Sequence, residues 1–503
     1  MSTAGTATSP DATAFGGSRA HFEEIVGWLD GTDAASLTHG ELEDDLDHRG
    51  RELLRVLLQD HLDLRARREQ RVTLVDAEAV SRRSVEAGHN RTLTTVFGTV
   101  TVERLAYRHH HRPNLHPADA LLNLPQERHS HGLRRLAAIE SSRGSFDDAV
   151  EAVERGTGVK VGKRQTEALA AKAASDVEDF YATRPHAPAD HDDVLVISAD
   201  GKGIVMRPDS LRAATAAKAA ASVPKLQTRL SKGEKRNRKR LAEVGIVYDC
   251  VPVPRTAHDV MAVSAATDEP PPAPKATNKW VTASVVDDAA EVISAIFDEA
   301  ERRDPAHQRT WIALVDGNNH QIERIRSEAD SRGIALSVVV DLVHVLEYLW
   351  GAAWCFYSEA DPAAEAWVHD RAIAILDGQA RHVAAGIRRR ATTTGLNKAT
   401  RTKADEAARY LVNKAPYLDY PTALTNGWPI ATGVIEGACR HVVKDRMDIT
   451  GARWSAQGAE AVLKLRAVKT NGDFDTYWRH HLQREQQRNH HSRYANQLIP
   501  AAA

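Results

Sequence analysis

Between Asp193 and Trp354 the chain alternates short apolar runs with amphipathic stretches, and this alternation limits the possible fold more than any other feature. DVLVISADGKGIVM, VGIVYDCVPV, WVTASVV, TWIALVD and ALSVVVD read as strands. DDAAEVISAIFDEAERRD, HQIERIRSEADSRG and LVHVLEYLWGAAW read as helices. Strands interleaved with helices predict an α/β layered sheet. Two departures interrupt it: an Ala-rich, strongly basic insertion over 214–240, and a Pro-rich link containing Pro270, Pro271, Pro272 and Pro274. From 356 to 425 strand signals stop, which predicts a large all-helical insertion.

At 503 residues the chain exceeds one ordinary core, so a second folding unit is expected. Residues 1–20 read as a disordered lead without the apolar core of a signal peptide. Residues 21–85 read as helical. Arg91–Arg108 is Thr- and Val-rich with a break at Gly98, the pattern of a β-hairpin. After His109, His110 and His111, helical spacing returns near His131. Ser145 and Asp148 suit a capping box, and Gly156, Gly158 and Gly162 separate two short helices in a helix-turn-helix-like outline. Lys160, Lys163, Arg164 and Lys172 surround the second of these helices. Either a DNA-facing helix or an ordinary helical hairpin fits that pattern. The expected division is 21–185 as an N-terminal DNA-binding region, 186–355 as the first part of a catalytic core, 356–425 as the insertion, and 426–503 as the rest of the core with tail helices.

Asp200 and Asp316 each end an apolar run and precede Gly, and Glu436 opens a predicted helix in TGVIEGACRHVVKDRM. Strand ends in α/β sheets converge on one edge, and carboxylates gathered there suit a hard divalent cation such as magnesium. Each residue alone has a plainer reading: Asp-Gly is a common turn, and Glu favours a helix start. Asp341 also ends a strand and competes with Asp316 for the second position. Topology favours Asp316, since it closes the strand following the first sheet helix. Asp341 would then cap the next helix, and Asp341 and His344 would support the acidic set or contact a DNA strand.

The segments ISADGKGIVMRP, KLQTRLSKGEKRNRKRLAEVGIVYD, VDGNNHQIERI, VVVDLVHVLEYLWGAAW and NGWPIATGVIEGACRHVVKDRMDITGARW resemble bacterial insertion-sequence transposases of the ISKra type, over most of residues 90–480. The resemblance implies a ribonuclease H-like mixed-sheet core, with Asp200, Asp316 and Glu436 as a catalytic, metal-holding aspartate–aspartate–glutamate triad. It implies magnesium, with manganese able to substitute. Related Mutator-like transposases carry a Cys-or-Asp, two residues, His motif, which Asp341 and His344 match. Some relatives have a cysteine-based zinc motif after the hairpin; the His109–His111 run has no cysteine nearby, so zinc is not expected.

The charges nearly cancel, 66 Lys+Arg against 68 Asp+Glu, which excludes a protein basic throughout but leaves local patches open. One patch holds Lys232, Lys235, Arg236, Arg238, Lys239 and Arg240; a second holds Arg388, Arg389 and Arg390; Arg440 and Lys444 follow Glu436. Together with Lys160, Lys163 and Arg164 these are the expected contacts to DNA, namely the element's inverted-repeat ends and target DNA. Pairing two ends implies at least a homodimer. The three cysteines lack CxxC spacing and no run approaches the roughly 20 apolar residues of a membrane span, so a cytoplasmic protein acting at the nucleoid is expected. The expected activity is metal-dependent DNA cleavage and strand transfer. The alternatives are a structure-selective nuclease on the same core and an inactive, transposase-derived DNA-binding protein. A P-loop phosphotransferase is disfavoured because no GxxxxGK[ST] occurs.

Overall fold

The computed structural model describes residues 14–185, 192–223, 225–226, 228–229, 231, 234–262, 272–449 and 451–500. Residues 1–13, Lys232, Pro270 and Pro271 lie outside them. Two compact units form: the described residues up to Ala182 together with those from Phe474 onward, and Thr183–Asp473. No described helix is long and apolar enough to cross a membrane.

In the first unit, helices Gly16–Leu29 and His39–Arg68 precede an antiparallel sheet of β1 (Ser84–Thr95), β2 (Gly98–His109) and β3 (Arg112–Leu115). The hairpin closes at Thr95↔Gly98, around the glycine expected to break it. Two boundaries differ from the sequence reading. The first helix begins inside the expected lead, where the Ser18 N–H donates to Asp60 Oδ2 at 2.8 Å. The helical reading to 85 stops at Arg68, because the following segment wraps around buried Asp76. That carboxylate accepts the Glu78 and Val80 N–H groups and the Arg82 guanidinium, which competes with helical pairing.

Helices His131–Arg143, Phe146–Thr157 and Lys163–Ala173 follow, packing through Leu133, Ala137, Val153, Val161 and Leu169. Ser145 and Asp148 form the reciprocal capping box, and Gly158 ends its helix in the left-handed conformation at φ 69°. The tail helix Phe474–Asn489 belongs to this unit and not to the sheet unit, which corrects the expected division at 426–503. Its Glu485 pairs with fully buried Arg134, and its His481 with Asp176 at 2.6 Å. Buried charges of this kind are tolerable only when paired, so these contacts define where the tail belongs.

The second unit is an α/β fold built on a mixed five-stranded sheet in the order β6-β5-β4-β7-β8. The strands are β4 (Val194–Val205), β5 (Lys239–Cys250), β6 (Ala276–Ser284), β7 (Trp311–Val315) and β8 (Leu336–Val340). β4 is antiparallel to β5 and parallel to β7; β5 and β6 are antiparallel, β7 and β8 parallel. Val194–Ala199 is buried along its whole length, as a central strand covered on both faces requires. Helix Ala289–Arg303, capped reciprocally by Asp288 and Glu291, buries Val292, Ile293, Ile296, Phe297 and Ala300 at helical spacing. Helix Ala456–Thr470 lies by β6, where Glu460 accepts the Ser284 hydroxyl at 2.8 Å. Between helix Leu342–Ala353 and Glu436 the described chain is purely helical, with Pro362–Leu376, Ala380–Thr393, Thr402–Lys414 and Tyr420–Thr425 filling the expected insertion.

Candidate functional site

Asp200 does not end its strand. β4 continues to Val205, paired throughout with β5 as a ribbon, whereas its ladder to β7 stops at Ile197↔Ala313. Asp-Gly is therefore not a turn here. Gly201 stays in the ladder opposite Glu243, and a Cβ on it would come within 2.8 Å of Leu241. Asp200 stands where β4 parts from β7, and so at the sheet edge. The strands are still held together there, since Ser198 Oγ donates to the Leu314 carbonyl at 2.6 Å.

The β4–β7 ladder ends before either acid, with Asp200 within β4 and Asp316 the residue after β7. The β7–β8 register carried one residue further sets Asp316 opposite Asp341, whose N–H donates to the Val315 carbonyl at 2.8 Å. Asp200, Asp316 and Glu436 line one open cavity of about 830 Å³, together with Lys202, Lys239, His344, Glu347, Thr432, Cys439, Arg440 and Lys444.

Asp341 lies behind that cavity, fully buried, with both oxygens engaged. Oδ1 accepts the N–H groups of Val343 (3.2 Å) and Thr432 (3.0 Å); Oδ2 accepts the His344 N–H (3.2 Å) and meets its Nδ1 at 2.7 Å. It caps its helix and orients the imidazole. Burial opposes protonation of His344, but the Asp341 hydrogen bond and the charges of Asp341, Asp316 and Glu347 outweigh it and raise the pKa. Thr432 links Asp341 to the third acid, because its hydroxyl donates to Glu436 Oε1 at 3.1 Å. Asp341, His344 and Glu436 each bring one potential ligand atom within 4.8 Å of the others.

Glu436 lies on the short helix Gly433–Ala438, which widens at once into a π-helix over Cys439–Lys444. Such insertions re-aim side chains and often mark functional sites. The Arg466 guanidinium donates to the His441 and Val442 carbonyls within the widened turns. Cys439 is buried and its Sγ donates to Asp200 Oδ2 at 3.4 Å; burial and the Asp200 charge push the thiol pKa up and keep it a donor. No family model matches the chain, and no curated protein matches it.

Asp341, His344 and Glu436 could hold a metal ion between them. The described basic residues expected at DNA divide into three groups. Lys235, Arg236, Arg238, Lys239 and Lys444 form no ion pair among the described residues, and neither do Arg164, Arg388 and Arg389. Lys160 and Lys163 pair with Glu154 and Asp147, and Arg440 lies 3.9 Å from Asp445; these exposed contacts are weak enough to exchange for phosphates. Arg240 and Arg390 are engaged differently. Arg240 donates to the Val286 carbonyl at 3.2 Å. Arg390 lies over Phe356 and Tyr357, 4.6 Å from each ring, and donates to the Tyr357 hydroxyl, so its charge serves packing in the helical insertion.

Lys202, Cys439 and Tyr410 join the site without having been expected there from sequence. Lys202 was detectable, two residues after Asp200 on one strand and hence on the same face. Cys439 was detectable as the third residue after Glu436 on a helix. Nothing in the local sequence marks Tyr410, whose hydroxyl reaches the Asp316 carbonyl from the helical insertion.

Proposed function

We propose that the second unit is a ribonuclease H-like core and that the protein is a DNA transposase, cleaving the ends of its own element and joining them to target DNA. The observation that carries this reading is that Asp200, Asp316 and Glu436 line one cavity, although up to 236 residues of sequence separate them. The mixed sheet, with β4 central between antiparallel β5 and parallel β7, supports this reading. Asp200, Asp316 and Glu436 would hold magnesium or manganese, which when bound supplies charge neutralisation and Lewis-acid polarisation for phosphoryl transfer.

The chain's own groups do the rest. Lys239, Arg440 and Lys444 present cations at the cavity where a DNA backbone would lie. Asp341 fixes the His344 ring at the cavity wall, and Thr432 holds Glu436 in register with it. Lys235, Arg236 and Arg238 immediately precede β5, whose first residues are Lys239 and Arg240. Arg164 on helix Lys163–Ala173, without an ion pair among the described residues, suits end recognition in the first unit.

The test incubates the full chain and magnesium with DNA carrying the element's terminal repeats. Nicking at the ends followed by joining to a second duplex is expected, and Asp200→Ala should abolish both steps while retaining DNA binding. Cleavage without joining would replace this reading by a nuclease. Joining that survives in Asp200→Ala would overturn the site.

A further inference from the structure

Asp200 already has a cation of its own. Lys202 follows it by two residues on β4, so both side chains leave the same face of the strand. The Lys202 Nζ lies 2.7 Å from Asp200 Oδ2, with the lysine side chain 48% and the aspartate 23% exposed. The same Oδ2 accepts the Cys439 thiol at 3.4 Å, and Oδ1 accepts the Gly201 N–H at 2.7 Å. Both carboxylate oxygens are thus engaged by donors from the chain itself. Lys239, Arg440 and Lys444 share the cavity, yet among the described residues it is Lys202 that forms an ion pair with an acid of the set.

We infer that Lys202 is a displaceable internal counter-cation: it neutralises Asp200 until a divalent ion takes the carboxylate, and the freed ammonium then faces the phosphate-binding side of the cavity. This role rests on the metal-site reading above and adds a residue to it. A divalent ion of magnesium size binds a carboxylate oxygen at about 2.0–2.1 Å, and an ammonium cannot keep the same oxygen beside it without like-charge repulsion. Breaking this partly exposed pair costs little, and the four-carbon lysine stem lets the charge swing into the cavity without moving the strand. A resident lysine also spares the empty site the mutual repulsion of Asp200, Asp316 and Glu436.

A displaceable lysine has a consequence that a merely structural one would not: removing its charge should make metal binding stronger. Manganese affinity of the full chain, measured by calorimetry and by the electron spin resonance of the free ion, should rise roughly two- to fivefold in Lys202→Met. Lys202→Arg, which keeps a cation on the strand, should stay within twofold of the unaltered protein. Circular dichroism and thermal melting of both variants check that the fold is retained. Asp200→Asn is the control for the site itself. If it leaves manganese binding unchanged, the metal-site reading fails. If it removes binding while Lys202→Met binds no tighter than the unaltered chain, or if Lys202→Met does not fold and Lys202→Arg loses manganese affinity, the counter-cation role is overturned and the site stands.

Discussion

The Tyr410 hydroxyl donates to the backbone carbonyl of Asp316 at 3.2 Å, joining the helical insertion to the end of β7 across 94 residues of sequence. Tyr410 also stacks on Tyr348 with ring centroids 3.9 Å apart. Gly317, next to Asp316, sits at φ +92°, and a Cβ there would lie 2.6 Å from the Tyr410 oxygen. The insertion therefore bears on the backbone that aims one of the three acids.

Gly317→Ala should accordingly cost about 1–3 kcal/mol of stability and weaken manganese binding, since strain and a clash act at one point. Tyr410→Phe removes only the hydroxyl and should cost about 1 kcal/mol, with the site intact. Denaturant midpoints and calorimetric manganese titrations of the two variants check this. Equal metal affinity in Gly317→Ala and the unaltered chain would show that the contact does not aim Asp316.

Asp316 and Asp341 lie side by side, and their hydrogen bonds predict different roles. Asp341 has no free oxygen, whereas the Asp316 carboxylate accepts one hydrogen bond among the described residues, from the Asn318 N–H to Oδ1 at 2.8 Å. Asp316→Asn should remove manganese binding. Asp341→Asn should reduce it about tenfold, as expected of a group that orients ligands, because its new NH₂ group faces N–H donors. The reverse order in the titrations would make Asp341 the ligand.

The first unit should be acid-labile through its tail helix. Burial works against the Asp176 and Glu485 carboxylates, but hydrogen bonds and the charges of His481, Arg488 and Arg134 overcome it and hold both pKa values below their ordinary ones. Folded-state values below the unfolded ones mean that this stabilisation is complete above about pH 5 and is lost as the pH falls through about 4 and below. Urea unfolding followed at pH 7 and at pH 3.5 should show a lower midpoint in acid for the transition of this unit. Arg134→Met leaves the buried Glu485 carboxylate with only the His131 and His481 rings beside it and should cost about 3 kcal/mol at neutral pH. A midpoint independent of pH would mean the cluster contributes nothing.

Apolar runs and their spacing are sufficient to find all five strands of the sheet, most plainly β4 and β7, where burial on both faces demands near-continuous apolar residues. Asp316 and Asp341 are legible at strand ends for the same reason. Asp200 looks like a strand end in sequence, since Asp-Gly is a turn pair in isolation; only the pairing of Gly201 with Glu243 keeps it extended. The tail helix reads as part of the wrong unit because His481 and Glu485 look like surface residues until Asp176 and Arg134, some 300 residues earlier, are seen to meet them. Charge runs have the same weakness: nothing in a run of three arginines announces that Tyr357 and Phe356 enclose Arg390.

That last contrast gives a prediction about DNA. Lys235, Arg236 and Arg238 are without ion pairs among the described residues, while Arg390 is held against aromatic rings. Replacing the first three by Ala should weaken binding to any duplex and lower the slope of log affinity against log salt by about 0.9 for each phosphate that is no longer neutralised. Arg390→Ala should leave that slope unchanged and instead cost about 1–2 kcal/mol of stability, because the guanidinium leaves its aromatic rings and its bond to the Tyr357 hydroxyl. Salt titrations by fluorescence anisotropy, beside denaturant melts, separate the two effects. A reduced salt slope in Arg390→Ala, or an unchanged one in the triple variant, would reverse the assignment of these charges.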